Sequence, residues 1–150
     1  MDTTHFYQVN LSWISDRKGE INSPVLNTTL EVATPPEFQK GMPGIWSPEH
    51  LLVAAVNSCL MTTFLAIAEN SKVDFISFDS SAIGKLEIVN GKYMVSEITL
   101  NPIVHMQDGD QRERMERVLQ KSEAACLITN SIKSKIIFEP EICIDALMLA

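Results

Sequence analysis

An α+β fold is predicted by three features of this sequence. Several short segments alternate apolar and polar residues, a tight-turn signature joins two of them, and two helical stretches interrupt the strands without alternating with them one for one. Tyr7, Val9, Leu11 and Trp13 alternate with Gln8, Asn10 and Ser12, which predicts a first strand with one wet face. The chain then turns at Ser15-Asp16-Arg17-Lys18-Gly19, and Leu26, Thr28, Leu30 and Val32 repeat the period of two. Residues 34–46, TPPEFQKGMPGIW, hold too much Pro and Gly for a regular element, while Phe38, Met42, Ile45 and Trp46 are apolar for a loop. Either these side chains pin the loop to a core or the loop covers a pocket.

Ser47-Pro48-Glu49 is a helix start: Ser47 suits the cap, Pro48 the first helical position, and Glu49 the positive end of the dipole. From Leu51 to about Glu69 the following helix is apolar on nearly every side, as expected of a helix buried in the fold or between subunits. Asn90-Gly91 between Leu86–Val89 and Tyr93–Val95 predicts a hairpin, because both residues tolerate positive φ, and its second strand extends to about Val104. Asp110-Gln111-Arg112-Glu113 resembles a capping box ahead of an amphipathic helix with Met115, Val118, Leu119 and Ser122 on one face. Residues 126–133 read as a further helical piece, and two strands close the chain on either side of Pro140.

With 150 residues and 45% hydrophobic composition, the sequence suits one domain, residues 1–150, with a core of its own. Twelve basic against 19 acidic residues give a net charge of −7, which disfavours a nucleic acid partner. Asn57, Ser58, Thr62 and Thr63 interrupt the longest apolar run and the first residues lack a basic signal-peptide region, so the expectation is a cytoplasmic protein without a membrane partner. Three widely spaced cysteines make neither a disulfide framework nor a zinc motif. In a reducing compartment such thiols either fill space or do chemistry. His5, His50 and His105 show no ligand spacing, and the seven methionines suit core filling.

The segments SPEHLLVAAVNSCL and EAACLITNSIK, in that order and separated by a hairpin and an amphipathic helix, resemble the OsmC/Ohr family of thiol-dependent hydroperoxide reductases over about residues 6 to 140. The resemblance implies an OsmC-like fold, with antiparallel sheets wrapped around central helices in an intertwined homodimer. It implies that Cys59 attacks the peroxide, that Cys126 resolves the product as a Cys59–Cys126 disulfide, and that Glu49 and Arg17 serve at the site. The substrate would be an organic or lipid hydroperoxide and the reductant a dithiol such as a lipoyl-bearing protein, with no cofactor. Ser15-Asp16 stands where the family has Gly-Gly before the arginine, so Lys18 is an alternative cation, and Leu127 stands where many members have proline.

Physical chemistry asks for such partners. A free thiol near pKa ~8.5 is mostly protonated at neutral pH, and burial alone raises that value further. A guanidinium aimed by a carboxylate would favour the thiolate. Glu49 and Cys59 are separated by roughly 15 Å of axial rise along one helix, so either Arg17 comes between them or Glu49 comes from another subunit. Leu60, Phe64 and the 38–46 loop would make a dry pocket. The competing reading is a non-enzymatic dimeric module, binding a small molecule or sensing redox state, in which the same cysteines, like Cys143, serve packing.

Overall fold

The structure, a computed structural model, describes residues 3–145. Its elements run β1 (Asn10–Ser15), β2 (Lys18–Asn22), β3 (Leu30–Ala33), α1 (Pro48–Asn70), β4 (Ser77–Val89), β5 (Lys92–Met106), α2 (Arg112–Ala125), β6 (Lys135–Phe138) and β7 (Glu141–Ile144). The mixed α+β class predicted from the residue pattern is the class observed. The chain forms two compact units, residues 1–51 and 52–150, whose boundary lies within α1.

In the first unit β1, β2 and β3 form an antiparallel meander. The first strand begins at Asn10, three residues later than the alternation from Tyr7 suggested, and both of its faces are exposed, including Leu11 and Trp13. The predicted wet and dry faces therefore do not separate within this chain. Lys18 to Asn22, read in part as turn, is strand, and the turn contracts to Asp16-Arg17 with Asp16 at φ 49°. The 34–46 loop is held by main-chain bonds: Met42 N–H to the Thr34 carbonyl at 2.9 Å, Gly41 N–H to that of Phe38 at 2.9 Å, and Ala33 N–H to that of Trp46 at 2.8 Å. A Cβ on Gly41 would lie 1.9 Å from the Pro35 oxygen, so no larger residue fits this turn. The loop is thus shaped by its own backbone, while the Trp46 side chain stays exposed.

Ser47 opens α1 as its sequence predicts. Its Oγ accepts from the His50 N–H at 3.1 Å and lies 2.6 Å from His50 Nδ1, so His50 completes the cap. In the second unit β4 and β5 pair over their full length, and Asn90 (φ 52°) and Gly91 (φ 79°) make the expected hairpin turn. Strands β6 and β7 both run parallel to β5, beside Glu97–Leu100 and Ile103–Met106 respectively, and Pro140 falls at the break between them. One face of β5, with Ile98, Leu100, Val104 and Met106, is buried. Val56, Leu60, Phe64 and Ala68 of α1 and Met115, Val118 and Leu119 of α2 share the core clusters it builds. All four positions predicted for the inner face of α2 are buried.

Two predicted local features differ. The cap ahead of α2 is Asp108, whose Oδ1 accepts from Asp110 N–H at 2.9 Å; a 3₁₀ turn over Gly109–Gln111 intervenes, and Gln111 caps α2 without a side-chain bond. Residues 126–133 form a single 3₁₀ turn, Thr129–Ser131, with Ile132 already extended. β-Branched Ile128, Thr129 and Ile132 lose side-chain freedom in a helix, and the Ser131 hydroxyl bonds back to the Leu127 carbonyl at 2.9 Å, so the segment gains little from continuing.

By length and hydropathy α1 would also cross a bilayer, and its four polar interruptions do not remove that property. Core helices share it. Here one side of α1 is built into the sheet while Met61 and Leu65 on another remain exposed.

Candidate active site

Cys59 lies where α1 packs on the sheet, and a polar clamp fixes that packing. Asn57 Nδ2 donates to the Ser80 carbonyl at 2.9 Å, and Ser80 Oγ returns a bond to Asn57 Oδ1 at 2.6 Å. Opposite, Gly84 lets the helix approach: a Cβ there would stand 2.5 Å from Val53 Cγ2. Asn57 was not singled out from the sequence as a functional residue. Its signal was a lone amide in an apolar run, which needs a buried partner.

Both thiols are buried, Cys59 at 9% exposure and Cys126 at 1%, and they are hydrogen-bonded to each other. Burial pushes the Cys59 thiol up. The Ile128 N–H, the Cys126 thiol, the Thr63 hydroxyl and the Leu127 N–H together outweigh burial and hold Cys59 below the ordinary thiol range. Thr63 Oγ1 stands 3.9 Å from Cys59 Sγ. Burial raises Cys126, the Thr129 hydroxyl and N–H oppose that, and the neighbouring Cys59 adds to it, leaving Cys126 above the ordinary range. The pair is therefore arranged so that Cys59 gives up its proton more readily than Cys126.

Within the unit that holds Cys59, the donors that lower it are main-chain N–H groups and neutral side chains. They come from the turn after Cys126. The Leu127 and Ile128 N–H groups serve Cys59, and that of Thr129 serves Cys126. Asn130 N–H closes on the Cys126 carbonyl at 3.1 Å. Such donors, fixed by the backbone, need no side-chain ordering to act.

Arg17 sits in the first unit at the β1–β2 turn, where it lines a cleft of about 320 Å³ with Leu11, Trp13, Lys18, Val32 and Pro48. Lys18 is paired with Glu31 at 3.4 Å. Glu49 occupies the first turn of α1, the dipole-favoured position its sequence context predicts. Leu60 and Phe64, expected along a substrate pocket, are fully buried instead; Phe64 stacks on Phe78 at 4.6 Å and meets Phe75 edge-on at 5.1 Å. The bulk of these side chains is best covered between helix and sheet, so they build core and not cavity.

Cys143 lies in β7 opposite His105 in β5, and His105 Nδ1 is 3.2 Å from Asp145 Oδ1. Among the described residues no three His, Cys, Asp or Glu side chains gather in a metal-binding arrangement.

The sequence pattern of the OsmC-like protein family matches residues 41–141. The chain belongs to the OsmC-like family. The uncharacterized protein YmaD of Bacillus subtilis is 23% identical over 137 residues, covering 88% of this chain and 89% of its own. An OsmC-like protein of unknown function from Vibrio cholerae superposes with a TM-score of 0.81 at 19% identity, covering 91% of this chain and 99% of the other. An organic hydroperoxide resistance protein from Elizabethkingia anophelis gives 0.76 at 18% identity, with 97% and 100% coverage. One from Legionella pneumophila, described as an organic hydroperoxide resistance protein OsmC, gives 0.72 at 17%, with 95% and 100%. These likenesses establish the OsmC-like fold.

Proposed function

We propose that this OsmC-like protein is a thiol peroxidase for organic hydroperoxides. The observation that carries the reading is the contact between Cys59, held low, and Cys126, held high. The Cys59 thiolate attacks the terminal peroxide oxygen, the O–O bond breaks, an alcohol leaves after taking a proton, and Cys59 is oxidised to a sulfenic acid. Cys126 sulfur then bonds to Cys59 sulfur and the sulfenic oxygen leaves as water. A dithiol such as that of a lipoyl-bearing protein reopens the disulfide by exchange and is itself oxidised. Structural neighbours from Legionella pneumophila and Elizabethkingia anophelis carry the name organic hydroperoxide resistance protein, which supports this class of substrate.

The complete site requires a homodimer in this proposal. Phe6, Tyr7, Val9, Leu11, Trp13 and Met61 are large apolar residues exposed in the single chain, and a partner subunit would give them cover. A partner covering these residues would bring Arg17 and Glu49 to a thiol, with Arg17 holding the peroxide and Glu49 orienting it. The proposed compartment is the cytoplasm, where the thiols stay reduced.

The deciding experiment treats reduced protein with cumene hydroperoxide and maps disulfides by mass spectrometry. A rapid Cys59–Cys126 bond that vanishes in Cys59→Ser is expected. Thiols that survive excess peroxide would instead leave a non-enzymatic binding or redox-sensing module.

A further inference from the structure

Thr129 Oγ1 is the one buried side-chain oxygen or nitrogen without a hydrogen-bond partner of ordinary geometry among the described residues. Buried hydroxyls are nearly always bonded, so an orphan calls for a reason. Thr129 follows Cys126 by three residues in a turn closed by the Asn130 N–H on the Cys126 carbonyl at 3.1 Å. The Thr129 side chain is among the groups that act on the Cys126 sulfur, which is itself 1% exposed.

We propose that the Thr129 hydroxyl is a catalytic hydrogen-bond donor to Cys126 Sγ, poorly engaged while Cys126 is a thiol and fully engaged when that sulfur becomes an anion. This deepens the peroxidase reading and rests on it for its timing. During resolution Cys126 gives up its proton, its sulfur electron pair forms the S–S bond, the S–O bond of the Cys59 sulfenic acid breaks, and the proton leaves with that oxygen as water. When a dithiol thiolate later attacks Cys59 sulfur, the S–S bond breaks and Cys126 departs as a thiolate. In both directions negative charge develops on Cys126 in a site from which water is nearly absent. An oriented O–H aimed at that sulfur is stronger there than in solvent, and a neutral thiol, a weak acceptor, cannot use it equally. The adjacent Thr129 N–H acts on the same sulfur but belongs to every residue type at this position; only the hydroxyl depends on threonine or serine.

The test uses Thr129→Val, which keeps the shape and removes the donor, and Thr129→Ser, which keeps the donor. In a Cys59→Ser, Cys143→Ser background, the ultraviolet thiolate absorbance of Cys126 is followed against pH. Thr129→Val is expected to move the midpoint up by roughly one pH unit, and Thr129→Ser to restore it. In the chain with all cysteines present, dimedone-trappable Cys59 sulfenic acid should persist on the order of tenfold longer in Thr129→Val. An unchanged Cys126 midpoint, or one that Thr129→Ser fails to restore, overturns the proposal. A shifted midpoint in a protein that forms no sulfenic acid supports Thr129 as the donor while refuting the peroxidase reading. Should Thr129→Val fail to fold, Thr129→Ala takes its place in the same titration.

Discussion

Cys59 and Cys143 both stand on elements packed to β5, but their surroundings differ in what the nearby backbone has left to donate. Strand β7 pairs with β5, so its main-chain groups on that side are engaged in the ladder beside Ile103–Met106, with Cys143 opposite His105. The turn after Cys126 is too short to satisfy its own leading N–H groups, and two of these reach Cys59. A regular element absorbs donors and an interrupted one releases them. Cysteine chemistry in this fold follows the interruption.

The largest expected effect is on alkylation as a function of pH. A group held low is ionised already at a pH where an ordinary thiol is protonated, so the Cys59 rate should reach its plateau at lower pH than that of a cysteine in a short unstructured peptide. Cys126, held high, should plateau at higher pH. Peptide mapping after iodoacetamide at a series of pH values measures both, and Cys59 titrating with or above the peptide would end the comparison with Cys143. The same directions fix the stability linkage. Cys59 contributes stability above its unfolded pKa and loses it as pH falls through its lower folded value. Cys126 contributes below its unfolded pKa and loses it as pH rises through its higher folded value.

A smaller change should follow Leu127→Pro, which deletes one of the two backbone donors to Cys59. The Cys59 midpoint is expected to rise by about half a pH unit or less, since the Ile128 N–H, the stronger of the two, remains. A drop in midpoint would mean that the turn rearranged. Smallest of all is Thr63→Val: with its oxygen 3.9 Å from the sulfur, its removal should raise the Cys59 midpoint by only a few tenths of a unit.

Clamping of α1 offers a check from the packing side. Asn57→Leu deprives Ser80 of both bonds and puts a larger side chain against β4, and a loss of about 1–3 kcal/mol in urea unfolding is expected. Loss of stability without a change at Cys59 would show that the clamp and the thiol are independent.

Much of the fold was legible because its signals are local. Ser47 before Pro48, Asn90-Gly91, and the spacing of Met115, Val118, Leu119 and Ser122 each specify backbone geometry through their own side chains, and each appears in the structure. The failures have a common origin. Residues 126–133 carry a helical composition, yet β-branching and the Ser131 back-bond leave only a turn. Asp108 caps in place of Asp110 because a 3₁₀ turn was inserted, which the residue pattern does not encode.

For the site, the sequence determined that two cysteines stand at particular places after particular elements, and that α1 would be nearly uniformly apolar. Only the tertiary structure decided that these sulfurs touch and that unpaired peptide N–H groups favour the anion on the earlier one. The physical reason is that a residue's type is written in the chain, but the partner of a backbone donor is not. Every non-proline residue carries the same N–H, and which one reaches a sulfur depends on where packing ends one element and begins the next.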